Sequence, residues 1–362
     1  MTDKITSEYR PDVVTPPGET LKEIIDHIGM SKVELADRIG KTPKTVGEII
    51  KHSAPITPST AMELENVLGV PSSFWNNRER RYRESLARKE ERRRLEGDIE
   101  WLKSLPVREI IKAGWIKEYK DNVDQLKELL GFFGVASREQ WKKIWLSPET
   151  AYRKSKAFTS KPEASSVWLR KGELQAREIE CGPFFKEAFR SLLQEIRSLT
   201  QTAPKRFEKE VVTKCAKVGV AVVFTPPIKG TLVYGATRWL MPDKALIQLS
   251  LRGKFEDLLW FTFFHEAGHI LLHGKREIFI EGDGNHDARE HDADRFARDI
   301  LVPQAVYHKF INYGKYREPK VVKAFAKQIG ISPAIIVGRL QHEKRLPFSH
   351  MNNLRRRFKF TE

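Results

Sequence analysis

The sequence is poor in cysteine and has no long apolar run. Only 2 of its 362 residues are cysteines, Cys181 and Cys215, and they form no C-x-x-C pair. This excludes a disulfide framework and a cysteine zinc site, and we expect both thiols to be buried. The longest uncharged apolar run, Leu258 to Phe264, is far shorter than the roughly 20 residues of a membrane helix. Because the N-terminus also lacks a signal-like apolar core, the sequence predicts a cytoplasmic protein without a membrane segment.

The charge is strongly positive but unevenly distributed. Lys and Arg number 64 against 48 Asp and Glu, which gives a net charge of +16 and favours a polyanionic partner. Residues 1–75, however, hold 8 basic and 11 acidic side chains, whereas residues 76–96 hold 9 and 5. Any contact with nucleic acid must therefore use a local patch of positive charge.

The hydrophobic pattern predicts a multidomain protein. Short helices with clear start and stop signals precede a basic helical stretch, a second helical region and three β-rich segments at 218–226, 232–240 and 245–251. Two helices with a short strand between them follow, so this later part is α+β. The predicted organisation is a flexible arm 1–15, an all-α helix-turn-helix domain 16–76, a basic helical connector 77–100, a helical middle domain 101–206, an α+β domain 207–315, and a helical segment 316–362 that resembles a second helix-turn-helix.

Residues 31–51 have the length and glycine turn of a helix-turn-helix. Ser31, Thr42 and Thr57 are N-cap candidates, and Gly40 and Gly69 stand where helices end. The recognition helix would begin at Thr42. We predict DNA contacts from the residues in and beside its first turn and at its end: Lys41, Thr42, Lys44, Thr45 and Lys51.

Residues 325–340 repeat part of this pattern at an offset of 290. At the positions that would face DNA they carry Ala334, Ile335 and Val337, not lysine or threonine. We therefore expect the second copy to pack against its neighbours, although Arg339 and the basic tail MNNLRRRFKF could add phosphate contacts.

HEAGH, residues 265–269, fits the H-E-x-x-H zinc pattern on a helix that is apolar around its whole circumference. Residues four apart lie on one helix face, so His265 and His269 can bind one Zn²⁺, while Glu266 is placed as general base. His273 is excluded as a joint ligand because it lies about 12 Å along the helix from His265. A buried core helix with satisfied polar residues is the structural alternative.

The third zinc ligand is expected on the next helix, 288–301. Glu290 borders the apolar face of this helix, and Asp294, one turn later, could hold a ligand histidine by a hydrogen bond. Rival third ligands are His286, Asp287, His291 and Asp294 itself. The oxyanion-stabilising side chain stays open among Tyr234, Arg238, His273 and Tyr307, and the strand 245–251 could hold a substrate peptide along its edge.

HEAGHILLHG followed by EHDADRFARDILVP resembles the ImmA/IrrE-type metallopeptidases over roughly residues 210–345. This resemblance implies a zincin-like fold, with His265, His269 and Glu290 as ligands of Zn²⁺ and Glu266 as catalytic base. It also implies a protein substrate, because characterised members cut helix-turn-helix repressors. The family usually has Asn where this chain has Asp294.

Residues 16–75 resemble HigA-type antitoxins of the XRE repressor class. That resemblance implies binding to double-stranded operator DNA as a homodimer, with a toxin as possible partner. Together the two resemblances predict a DNA-binding regulator with a zinc metalloendopeptidase domain of the gluzincin type, which cleaves a helix-turn-helix repressor or its own connector. The alternative is an antitoxin or repressor whose zinc domain is a sensor or structural.

Overall fold

The computed structural model describes residues 14–146, 162–274, 279–282 and 288–358. They divide into two compact units, 1–98 and 99–362. The predicted arm 1–15 lies almost entirely outside the described residues. Multidomain organisation is thus confirmed, with a helical N-terminal unit and a larger unit of helices around a small sheet. Within the described residues no single helix is both long and apolar enough to cross a membrane, although the bent pair Pro319–Gln328 and Pro333–His342 together meet that length and composition.

The described part of the N-terminal unit, from residue 14 onward, contains five helices. Its core is formed by apolar residues of the first four helices and by Trp75 of the fifth. The predicted caps are confirmed: Ser31, Thr42 and Thr57 each accept a hydrogen bond from a backbone N–H of the following turn, and Gly40 and Gly69 have left-handed backbones at helix ends. The helices are α1 (Pro17–His27), α2 (Lys32–Ile39), α3 (Pro43–Ile50), α4 (Pro58–Leu68) and α5 (Ser72–Gly97).

Helix α5 crosses the predicted boundary between domain and connector at 76/77. Its first two turns belong to the N-terminal core, because Trp75 is fully buried and the Glu79 carboxylate accepts a hydrogen bond from the backbone N–H of Ile56 at 3.1 Å. The charged stretch from Arg80 onward is largely exposed, as expected of a solvated helix. Composition alone placed the boundary too early, because it registers the loss of apolar residues and not the continuity of the helix.

The second unit begins with helices and continues into a four-stranded sheet. The described helices before the sheet are α6 (Ile99–Ser104), α7 (Val107–Lys112), α8 (Asn122–Phe133), α9 (Arg138–Leu146), α10 (Pro162–Arg177), α11 (Lys186–Ser198) and α12 (Pro204–Lys217), with a 3-10 turn at Leu199–Gln201. The remaining elements are β1 (Val220–Phe224), β2 (Val233–Met241), β3 (Lys244–Leu249), α13 (Glu256–Leu272), β4 (Phe279–Gly282), α14 (Ala288–Leu301), α15 (Gln304–Asn312), α16 (Pro319–Gln328), α17 (Pro333–His342) and a 3-10 turn at Asn352–Leu354.

The sheet has the order β1-β3-β2-β4, and the side chains of its two faces pack into two different hydrophobic clusters. β1 and β3 are parallel, while β2 runs antiparallel to both β3 and β4. Side chains alternate, so Val222 and Ile247 face the core that contains α13, whereas Val223 and Leu246 face Ala176 of α10. β3 is paired along both of its edges, so the expectation that strand 245–251 holds a substrate along its edge is wrong.

One hydrophobic core runs through most of the second unit. It joins residues of α11 and α12, the sheet, α13 and the C-terminal helices, from Phe189 to Phe358. The predicted boundaries at 206/207 and 315/316 therefore do not separate independent cores, and the first falls inside α12. The second helix-turn-helix copy is part of this core: Ala334, Ile335 and Val337 are buried, so packing is its role. Cys215 is buried, whereas Cys181 is only half-buried.

The C-terminal tail is held to the start of α13 by two ion pairs whose carboxylates are buried. Arg356 donates to the Glu256 carboxylate at 2.6 Å and also to the carbonyl oxygens of Thr200 and Thr202. Arg355 donates to both oxygens of Asp257 at 2.8 Å. Burial raises the pKa of Asp257 even though Arg355 opposes it. These contacts fix the helix that carries HEAGH from its first turn.

We predict that Glu256→Gln lowers the free energy of unfolding by about 2 kcal/mol, because it removes the charge from a buried carboxylate that accepts hydrogen bonds from Arg356 and from the Ser332 hydroxyl. Urea denaturation of the full chain measures this loss. Glu187→Gln is the control, since Glu187 forms only an exposed pair with Arg190, and it should leave the midpoint unchanged. Equal midpoints for Glu256→Gln and wild type would contradict the account of the tail.

Candidate functional site

The HEAGH residues lie at the centre of the second unit. Helix α13 is buried along most of its length, and His265, Glu266 and His269 are each at most 1% exposed. The neighbouring Phe263, Phe264 and Ile270 fill the core around them. Polar side chains at such depth are costly unless they have partners, so their surroundings decide what this cluster can do.

Glu290 of α14 reaches both histidines. Its carboxylate oxygens lie 3.0 Å from His265 Nε2 and 3.6 Å from His269 Nε2, and the two Nε2 atoms are 2.9 Å apart. All three potential ligand atoms lie within 4.8 Å of one another. The structure thus brings together the three residues that the sequence analysis selected as metal ligands.

A glycine permits this approach of the two helices. Gly268 of α13 faces α14, where an added Cβ would lie 3.1 Å from Phe296 Cδ1 and 3.2 Å from Ala293 Cα. Ala293 and Ala297 provide the small facing residues and are fully buried. The variable positions of H-E-x-x-H therefore also carry structural information, which the sequence analysis missed. Ala293 and Ala297, four residues apart on α14, are the sequence pattern from which this close helix contact could have been predicted.

Each histidine is held at its other ring nitrogen. Asp294 Oδ1 lies 2.9 Å from His265 Nδ1, the position expected for a residue that orients a ligand. His273 Nδ1 lies 2.9 Å from His269 Nδ1. His273 therefore contacts the candidate metal ligand His269 and is not itself placed as a ligand. Both Nε2 atoms consequently face Glu290.

The protonation states favour metal binding. Burial lowers the pKa of His269 to about 4, so its imidazole is neutral near pH 7. Burial would raise the pKa of Glu290, but hydrogen bonds from His265 and His269 outweigh it and lower that pKa to about 2. A neutral imidazole and an ionised carboxylate are the forms that coordinate a cation.

The side chain of Glu266 extends from α13 toward strand β2. An added Cβ at Gly235 would be 2.7 Å from Glu266 Oε1 and 2.5 Å from Thr262 Cγ2, so β2 passes directly over this carboxylate. Thr237 of the same strand donates a hydrogen bond to the backbone oxygen of Glu266 at 3.2 Å. Glu266 is thus on a different side of α13 from the His265–Glu290 contact and fixed by the sheet.

Zinc fits the residues present. Two imidazole nitrogens and one carboxylate, converging from two helices, form the His₂Glu donor set of catalytic zinc sites. Of the rival third ligands, His291 is exposed and Asp294 contacts His265, while His286 and Asp287 lie outside the described residues. The geometry therefore favours Glu290 among the described candidates.

All four oxyanion candidates contact other side chains, and His273 contacts His269. Arg238 forms an ion pair with Glu173 at 2.7 Å, and Tyr307 donates a hydrogen bond to Glu343 at 2.8 Å. The ring of Tyr234 lies under the Arg252 guanidinium, 4.7 Å from its centre. The choice among the four candidates remains a prediction.

The residues predicted to contact DNA lie around α3. Lys44 is 85% exposed in the first turn, and Lys51 is exposed at the C-terminal end of the helix. The Thr42 hydroxyl caps the helix by accepting the backbone N–H of Thr45, and the two hydroxyls are 2.9 Å apart. Lys41 is paired with Glu63 at 3.1 Å, which directs its ammonium toward α4. Lys44 and Lys51 are therefore the exposed lysines among the five, and Lys44 lies 3.9 Å from the Glu48 carboxylate.

Comparison with known proteins gives two family matches and several similar structures. The family model described as "Helix-turn-helix" matches residues 21–75, and the one described as "IrrE N-terminal-like domain" matches residues 256–341. No curated protein matches the chain.

The similar solved structures cover about a quarter of the chain. An antidote protein of a plasmid maintenance system from Nostoc punctiforme, described as putative, has 25% identity and a TM-score of 0.23, and the match covers 25% of this chain and 94% of that one. An addiction module antidote protein of a HigA family from Coxiella burnetii has 28% identity, with 23% and 92% covered and a TM-score of 0.22. The antitoxin HigA of Pseudomonas aeruginosa, solved with the higBA promoter, has 25% identity, with 21% and 83% covered and a TM-score of 0.20.

Residues 21–75 form the helical core around α2 and α3, and residues 256–341 contain α13, α14 and the candidate metal ligands. Residues 21–75 are thus similar to helix-turn-helix domains, and residues 256–341, which include all three candidate metal ligands, are similar to IrrE N-terminal-like domains.

Proposed function

We propose that this protein is a DNA-binding regulator that hydrolyses peptide bonds at a zinc centre held by His265, His269 and Glu290. The observation that carries the proposal is the convergence of these three ligand atoms within 4.8 Å, deep in the domain that matches the IrrE family model. A purely structural role of the cluster would not require a carboxylate such as Glu266 beside the ligands.

Zinc bound here would polarise the scissile carbonyl and make an attacking water more acidic. The chain's own residues supply the remaining functions. Glu266, next to His265 in the chain, takes a proton from the attacking water and passes it to the leaving amine. Asp294 holds His265 in one orientation through Nδ1, and β2 fixes Glu266 from above through the close contact at Gly235.

The edge strand β4 is the proposed place for the substrate backbone. Among the described strands β3 and β2 are paired on both sides, whereas β1 and β4 are the edges. β4 is paired with β2, the strand that covers Glu266. A peptide added to the free edge of β4 would therefore lie on the side of the sheet that is nearer to the candidate metal centre.

The proposed substrate is a helix-turn-helix repressor. The alternative substrate is the chain itself, cleaved within the connector 77–100. A peptidase requires an extended backbone, whereas most of this segment lies within the regular helix α5. Exposed i,i+4 ion pairs such as Arg88–Glu84 support that helix only weakly, so self-cleavage would require local unfolding. Cytoplasmic location remains a prediction from the lack of a long apolar run and of a signal-like core, and a homodimer and a toxin partner remain predictions from the sequence resemblance.

The zinc proposal predicts that Glu266→Gln removes peptidase activity and keeps both metal and DNA binding. General-base catalysis contributes about 10²–10⁴-fold, so cleavage should fall by at least about 100-fold. Mass spectrometry of new protein N-termini in cells that express either form measures the effect across all cellular proteins, so no single substrate has to be chosen, and end-tagged chains report self-cleavage. Identical cleavage products for both proteins would favour a repressor or antitoxin whose metal domain is a sensor or structural.

The close helix contact predicts that Gly268→Ala weakens zinc binding about tenfold while the chain stays folded. The added methyl group must displace Phe296 or Ala293 by a few tenths of an ångström, which moves Glu290 away from the histidines. Competition with a chromogenic chelator measures the affinity. Gly274→Ala is the control, because a Cβ there meets no atom within 4 Å. If Gly268→Ala and Gly274→Ala both bind zinc like wild type, the close contact of α13 with α14 at Gly268 does not determine zinc affinity.

The helix-turn-helix predicts that Lys44→Ala weakens binding to a selected operator about tenfold, because Lys44 is exposed in the first turn of α3. Operators are first selected from a random DNA library, and affinity is then measured at fixed salt. Lys22→Ala, which removes an exposed lysine of α1, should leave binding nearly unchanged. Equal losses in both variants would indicate only nonspecific attraction of DNA.

A further inference from the structure

A small cavity lies behind the candidate metal centre, between α13, α14 and α17. Its volume is about 120 Å³. Each helix contributes residues spaced at helical intervals, and the apolar part of the wall includes Phe261, Leu301 and Ile335. Phe261 is one turn before His265 on α13, and Asp294, which contacts His265 Nδ1, also lines the cavity.

Most charged groups in the cavity wall already have partners in the protein. Asp257 accepts hydrogen bonds from Nε and Nη2 of Arg355, and Asp294 contacts His265. Glu343 accepts hydrogen bonds from the Tyr307 hydroxyl and from Arg339. The carboxylates of the wall are thus not available to bind a cationic ligand.

The two arginines of the wall differ. Arg339 donates to Glu343 at 3.0 Å and to the Val302 carbonyl oxygen at 2.9 Å, and its guanidinium stacks on Tyr307 at 3.7 Å from the ring centre. Arg298 is half-buried and forms no ion pair with a carboxylate in the part of the chain that the structure describes. Arg298 is therefore the cation that a ligand can use.

We infer that this cavity binds a small carboxylic acid with a short apolar tail. The carboxylate would pair with the Arg298 guanidinium, and the tail would lie against Phe261, Leu301 and Ile335. A cavity of about 150 Å³ accommodates benzene, so 120 Å³ suits a molecule of about six non-hydrogen atoms. Such a ligand is expected to bind with a Kd on the order of 1 mM.

The position of the cavity makes this ligand a regulator of the metal centre. Arg298 and Asp294 are one turn apart on α14, the helix that also supplies Glu290. A ligand that pairs with Arg298 acts on the metal centre through Asp294, which lies one turn earlier on the same helix and contacts His265 Nδ1 at 2.9 Å. This regulatory step rests on the proposed zinc function, whereas ligand binding itself does not.

Calorimetry with butyrate on the full chain tests the binding site, both with zinc and after zinc removal. We expect butyrate to bind in both states and Arg298→Gln to weaken it at least tenfold. Arg295→Gln, which removes an exposed arginine from the same helix, should bind like wild type. Ile335→Phe should reduce binding by filling the cavity, and circular dichroism checks that each variant is folded.

Three results would overturn the site: no butyrate binding at tens of millimolar, equal binding by Arg298→Gln and wild type, or equal binding of inorganic phosphate and butyrate. The regulatory step has its own readout, since butyrate should change the absorption spectrum of the cobalt-substituted protein. An unchanged spectrum despite binding would overturn regulation alone. Failure to bind zinc or cobalt at all would refute the proposed function while leaving the metal-free binding result valid.

Discussion

The close packing of α13 against α14 is the constraint on which the rest of the second unit depends. Gly268 brings the two helix backbones near enough for Glu290 to contact His265 and His269. Two imidazoles and a carboxylate would be expensive in an apolar core without partners, so their mutual contacts offset the cost of burial. The same contacts leave the imidazole of His269 neutral and the carboxylate of Glu290 ionised, which are the states that bind a metal.

The surrounding elements hold this helix pair from three directions. Strand β2 lies over Glu266, and the C-terminal helix α17 and the tail pack against the first half of α13. Arg355 and Arg356 neutralise the two acidic residues at the start of α13, although they follow them by 98 and 100 residues in the chain. The segment that repeats the helix-turn-helix pattern thus serves as a structural support here.

Some of this arrangement can be predicted from the sequence, because local chemistry determines it. The caps at Ser31 and Thr42 follow from short-range hydrogen bonds, and the stretch around His265 shows its burial through apolar residues on every side. Glu290 could be selected because the helical period places it beside the apolar face. Strand order, the bidentate contact of Arg355 with Asp257 and the cavity beside Arg298 depend on residues far apart in the chain, which periodicity does not relate.

The most direct test of the account is the metal content of purified protein by elemental mass spectrometry, compared among wild type, His269→Ala, Glu290→Ala and the exposed-residue control His308→Ala. The geometry predicts about one zinc per chain in wild type and control, with loss in both other variants, because a His₂Glu site needs all three protein ligands. Full zinc content in Glu290→Ala, or none in wild type supplied with zinc, would contradict the assignment of these two helices as a metal centre.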